Sequence, residues 1–80
     1  MFVVYVLKDT EGRLYKGMTN NLPRRFKEHC RGKTKTTKNM PSLEIVYTEE
    51  YNDSGIARLR EKYFKSSAGR RFLKNKIMRV

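Results

Sequence analysis

Eighty residues bound the chain to one domain, residues 1–80, and 19 lysines and arginines against 8 acids give a net charge of +11, which points to an anionic partner or, failing that, to a merely soluble over-basic surface. One cysteine, Cys30, excludes an internal disulfide, and no Cys/His cluster has zinc-site spacing. No apolar run approaches the roughly 20 residues of a membrane helix, and Met1 to Leu7 is too short for a signal peptide, so a cytoplasmic, reducing compartment is expected.

Phe2 to Leu7 is rich in β-branched and aromatic residues and predicts a buried strand. Lys8 to Gly12 is polar and ends in glycine, as a hairpin loop should, and Leu14 to Thr19 predicts the returning strand. Thr19, Asn20 and Asn21 are cap candidates for a helix with Pro23 in its first turn, Leu22 and Phe26 toward the core, and Gly32 at its end. Gly32 to Ser42 is a basic, Thr-rich loop expected to order on contact. Leu43 to Thr48 predicts a third strand, with Leu43, Ile45 and Tyr47 on one face and Val46 on the other. Asp53 and Ser54 cap a helix from about Gly55 to Lys65, whose apolar stripe is read as Ile56, Leu59 and Tyr63. Ala68 to about Lys76 predicts a third helix anchored by Phe72 and Leu73. The order ββαβαα makes an α+β domain, a small three-stranded antiparallel sheet flanked by helices.

Charge is segregated along this frame. Seven basic residues and one acid lie between Arg24 and Lys38, and nine basic residues and one acid between Arg58 and Arg79. The stretch from Leu43 to Asp53 between them has four acids and no base. Two basic blocks around an acidic strand point to a positive face and a polyphosphate partner. An anionic membrane surface is disfavoured as partner, since no basic stretch has a broad, bulky apolar face opposite its charges.

Five residues form a constellation. Tyr5 and Tyr15 lie on the hairpin, and Arg25 and His29, four apart on the first helix, project from one face. Each has an ordinary alternative, a half-buried aromatic or a solvated helix-end cation. Glu61 is the lone acid of the second basic block. Helical spacing sets it roughly 140° from Ile56, near Ala57 and Phe64, at the rim of the expected interface. Its neighbours Arg58 and Lys65 allow a surface ion pair, worth a few tenths of a kcal/mol. The same carboxylate suits Mg²⁺, which takes one or two protein carboxylates and completes its shell with water and phosphate oxygens.

Val3-Val4-Tyr5, Tyr15-Lys16-Gly17, the segment Leu22 to His29 and the Glu61-bearing segment Ala57 to Lys65 together resemble the GIY-YIG nuclease superfamily. The likeness spans nearly the whole chain. It is strongest to small standalone members related to the nuclease modules of bacterial excision repair and of homing endonucleases. Val3 stands where the family pattern has glycine and Lys16 where it has isoleucine; Asn75 is the candidate for an asparagine found beyond the glutamate in many members.

The resemblance implies a metal-dependent endonuclease acting on phosphodiesters, with DNA the favoured substrate and DNA repair the setting. It implies Glu61 as ligand of Mg²⁺ or Mn²⁺, Arg25 as phosphate clamp and Tyr5 as general base, with Tyr15 positioning water or phosphate, His29 as proton relay and Gly17 as structural support. For Tyr5, whose ordinary pKa is near 10, that role calls for depression by nearby cations. Lys16, Lys33, Lys35, Lys38, Arg58, Arg60, Arg70, Arg71 and Lys74 are candidate backbone contacts. With no element committed to reading bases, any site preference would come from a protein partner. A nucleic-acid-binding module of the same fold without catalysis is the alternative.

Overall fold

The computed structural model describes residues 1–32, 37, 40 and 42–77. The expected order is borne out: strands β1 (Phe2–Lys8) and β2 (Leu14–Thr19), helix α1 (Leu22–Cys30), strand β3 (Glu44–Tyr51), and helices α2 (Ser54–Phe64) and α3 (Ser67–Ile77). The sheet is antiparallel in the order β2-β1-β3, so the apolar first strand lies in the centre.

Alternation along β1 divides the molecule into two sides. Phe2, Val4 and Val6 join Leu14 and Met18 of β2 in a core completed by Ala57 and Phe64 of α2 and Leu73 of α3. Tyr5 faces the other way, with Gly17 and Tyr15, toward His29 of α1. Asn21 caps α1 by accepting from the Arg24 amide at 3.2 Å, and Asp53 caps α2 by accepting from that of Ile56 at 3.0 Å.

Two sequence readings are corrected. Strand β3 runs on to Tyr51 and contains a bulge: Val6 pairs with Tyr47 but Leu7 with Ile45, leaving Val46 as the extra residue. Simple alternation fails there, so Val46 and Tyr47 both pack on the core while Ile45 is exposed. In α2 the stripe is rotated. Ile56 and Leu59 are 54% and 68% exposed, whereas Ala57 and Phe64 are fully buried. The helix docks through a small residue that admits close approach, and bulk alone misidentified the docking face.

The acidic end of β3 is held by a polar knot against α2. Glu49 accepts hydrogen bonds from the hydroxyls of Tyr47 and Tyr51, both at 2.6 Å, and from Arg60 Nε and Nη2 at 2.8 and 3.1 Å. The Arg60 guanidinium also lies 4.8 Å from the ring centroids of Tyr63, Phe64 and Phe72.

Candidate active site

The hairpin turns a ten-residue separation into contact. Asp9 is buried in its loop and organises it: Oδ1 accepts from the Glu11 and Arg13 amides at 2.9 and 2.8 Å, and Oδ2 from Arg13 Nε at 2.7 Å. Gly12 supplies a φ of +84°. The resulting register pairs Tyr5 with Gly17 and Leu7 with Tyr15, so the two tyrosines are diagonal neighbours on one face. Their ring centroids are 6.3 Å apart. A β-carbon on Gly17 would lie 2.5 Å from the Tyr5 hydroxyl oxygen and 2.6 Å from its Cζ, so the missing side chain is the space the phenol occupies.

Helix α1 brings up the imidazole and guanidinium. His29 is 1% exposed, with its ring centroid 4.9 Å from that of Tyr15 and 5.8 Å from that of Tyr5. Its Nε2 is 2.8 Å from the Tyr5 hydroxyl, and its Nδ1 is 2.8 Å from Oγ1 of Thr37, itself 1% exposed. Burial, reinforced by the Arg25 charge, holds the His29 pKa below its ordinary value and keeps the ring neutral. Arg25 Nη1 donates to Glu28 Oε1 at 3.0 Å, and its guanidinium lies beside the Tyr5 hydroxyl.

Tyr5 differs from the sequence expectation. Burial pushes its pKa up to about 12, with Tyr15 and Glu61 adding to the rise and Arg25 only countering it. The nearby cation does not win over desolvation, so the hydroxyl is protonated at neutral pH.

Glu61 bears on that same phenol from α2. The rotation of the helix explains its position: with Ala57 and Phe64 buried, the residue between them faces inward, and its side chain is only 15% exposed. Lys65 Nζ is 3.3 Å and Arg58 Nε 3.7 Å from its carboxylate oxygens, both on well-exposed side chains. The two tyrosines, Arg25 and His29 are therefore grouped, and Glu61 is near enough for its charge to act on the Tyr5 phenol.

The basic residues divide three ways. Lys16 is half-buried on β2; burial, then the charges of Arg70 and Lys65, pull its ammonium pKa below the usual value, so these three cations lie near one another, with Lys65 paired to Glu61. Arg70, Arg71, Lys74 and Asn75 are exposed, as is Arg58, which is ion-paired with Glu61. Arg60 is not available as a backbone contact, because its guanidinium is committed to Glu49. Lys33, Lys35 and Lys38 lie outside the described residues. Sequence reasoning passed over Thr37, one of three threonines in a short stretch, and Lys65, read there only as an ion-pair partner.

The model of the GIY-YIG catalytic domain matches residues 1–76. The chain belongs to the GIY-YIG family. A UPF0213 protein of Clostridium perfringens is 39% identical over 66 residues, covering 81% of this chain and 71% of that one. A UPF0213 protein of Natronomonas pharaonis is 39% identical over 64 residues, covering 79% and 75%. The solution structure of a UPF0213 protein from Bacillus halodurans superposes with a TM-score of 0.57 at 30% identity, covering 91% of this chain and 82% of that chain.

GIY-YIG membership suggests a nuclease superfamily, with a nucleic-acid substrate and a divalent metal as general features. Among the described residues no helix is long and apolar enough to cross a membrane. Nor do three or more His, Cys, Asp or Glu side chains converge there. A single inward carboxylate still fits a Mg²⁺-like cation that arrives with phosphate and water filling its other positions.

Proposed function

We propose that the protein is a divalent-metal-dependent endonuclease that hydrolyses phosphodiester bonds, with DNA the favoured substrate and repair of DNA its setting. The observation that carries this reading is the 2.8 Å contact between Tyr5 Oη and His29 Nε2, with the Arg25 guanidinium beside that hydroxyl and the Glu61 charge near enough to act on it.

A buried phenol with a pKa of about 12 is a poor base by itself. A neutral imidazole on its hydroxyl changes that. As Tyr5 Oη takes a proton from the attacking water, its own proton passes to His29 Nε2. The water oxygen bonds to phosphorus, the bond to the leaving oxygen breaks, and solvent protonates that oxygen. The imidazolium then returns its proton through Tyr5 to solvent. Arg25 clamps the non-bridging oxygens as charge accumulates on them, and Tyr15 orients water or phosphate. Glu61 would hold the Mg²⁺ or Mn²⁺, which supplies Lewis-acid stabilisation of the phosphate.

Lys16, Lys65, Arg58, Arg70, Arg71 and Lys74 would track the backbone without reading sequence, so binding weakens steeply with salt. A protein partner would then set where the enzyme cuts. The test is cleavage of plasmid and branched DNA with Mg²⁺ or Mn²⁺ by the wild type and Glu61→Ala. Cutting that persists unchanged in the variant removes Glu61 as ligand. Salt-sensitive binding with no cutting by the wild type favours the non-catalytic module.

A further inference from the structure

We propose that Thr37 is a positioning residue for this site: its hydroxyl holds His29 Nδ1 so that Nε2 faces Tyr5 as an acceptor. This rests on the reading of Tyr5 and His29 given above and adds a residue that reading leaves without a role.

A neutral imidazole has one N–H and one lone pair, and the partner of one nitrogen decides the use of the other. Both nitrogens of His29 have a hydroxyl at 2.8 Å, Thr37 Oγ1 on Nδ1 and Tyr5 Oη on Nε2. With the proton on Nδ1, the ring donates to Thr37 and accepts from Tyr5. With the proton on Nε2, the lone pair faces Thr37 and Tyr5 has no sink for its proton. The first arrangement is the working one. It also suits the imidazolium, whose Nδ1–H still finds an acceptor in Oγ1 while Nε2–H points back to Tyr5. A hydrocarbon at Thr37 would leave that second N–H buried and unpaired, at a cost on the charged state in particular.

Thr37 is placed to do this. Its side chain is as buried as the histidine it touches, and the Met40 amide donates to its carbonyl at 3.0 Å. The other groups facing His29 are Tyr5 and Tyr15 on the strands and Arg25 and Glu28 on its own helix.

The chain has a single histidine, so its ring nitrogens are read without assignment ambiguity. The experiment compares wild type, Thr37→Val and Thr37→Ser by ¹⁵N NMR of the ring and by pH profiles of cleavage. Expected for the wild type is the Nδ1–H tautomer. Thr37→Val should populate Nε2–H, lose about 10- to 100-fold in kcat, the range outer partners of functional imidazoles carry, leave KM for DNA unchanged, and move the acid limb of the profile. Thr37→Ser should restore tautomer and rate.

Ring shifts in Thr37→Val identical to wild type, or failure of serine to rescue, would overturn the proposal. Thr37→Ala, read by the same shifts, serves if the valine variant does not fold. Because the tautomer is measured without substrate, a protein that cuts nothing would refute the nuclease reading while still testing Thr37.

Discussion

The phenol of Tyr5 occupies the room that any side chain on its cross-strand partner Gly17 would need. A methyl group there would meet the hydroxyl oxygen and Cζ of Tyr5 at 2.5 and 2.6 Å, and Tyr15 Cε1 at 3.1 Å. The ring cannot retreat, since it is buried and held to His29. Gly17→Ala should therefore fold with a penalty of about 1–3 kcal/mol, typical of overpacking, and move the hydroxyl off Nε2. Cleavage should fall by roughly 10²-fold, as for a catalytic group displaced by about an ångström. Urea unfolding and single-turnover rates measure the two effects separately. A wild-type rate in this variant would mean that Tyr5 does not need its place.

Tyr5→Phe removes only the oxygen. The ring still packs, so the change should lower the cleavage rate by about 10²- to 10⁴-fold, as loss of a proton-transfer group does. Arg25→Ala acts at another point in the same step, with an expected loss of roughly 10²- to 10³-fold in kcat. DNA affinity, measured by fluorescence anisotropy without metal, should change little in Tyr5→Phe, because a buried hydroxyl contributes no phosphate contact. A parallel loss of affinity and rate would reassign Tyr5 to binding.

Most of the fold was legible because its signals are local. The apolar run before Tyr5, the polar loop ending in Gly12, and the caps Asn21 and Asp53 each declare an element within a few residues. The grouping of Tyr5, Tyr15, Arg25, His29 and Glu61 came from spacing and family likeness together. What stayed hidden depends on distant packing. The bulge at Val46 breaks alternation only because β1 dictates the register. The docking face of α2 is chosen by Ala57, whose small side chain is a weak hydrophobic signal. Thr37 is one of three threonines in a short stretch, and sequence gives no means of telling which hydroxyl reaches the histidine. Arg60 looked like its exposed neighbours because Glu49, its partner, is 11 residues away on another element.

Arg60→Ala tests that last point. It leaves the Glu49 carboxylate, mostly buried, facing two tyrosine hydroxyls and no cation. Breaking such a pair from one side costs about 3 kcal/mol, lowered somewhat by the residual exposure. The expected result is a lower urea midpoint with DNA affinity nearly unchanged. Arg70→Ala should do the reverse, reducing affinity and its salt slope at constant stability.

Stability should also fall in two separate acid windows. The His29 pKa is depressed in the folded protein by burial, so the unfolded chain binds its proton first. Its contribution is whole above the unfolded value near 6.5 and drains away as pH drops below it. Glu49 acts lower. Burial alone would raise its pKa, but the hydrogen bonds from Arg60, Tyr47 and Tyr51 outweigh burial and hold it at about 2. That stabilisation is present above the ordinary carboxylate value and is lost between about pH 4.5 and 2. Urea midpoints measured from pH 8 to 3 should show both declines. His29→Asn should flatten the first and spare the second, and Glu49→Gln should do the opposite. Cleavage should follow the first window alone, since a protonated imidazole cannot take the proton of Tyr5. An acid limb that survives in the fraction of His29→Asn still active would locate the titrating group elsewhere.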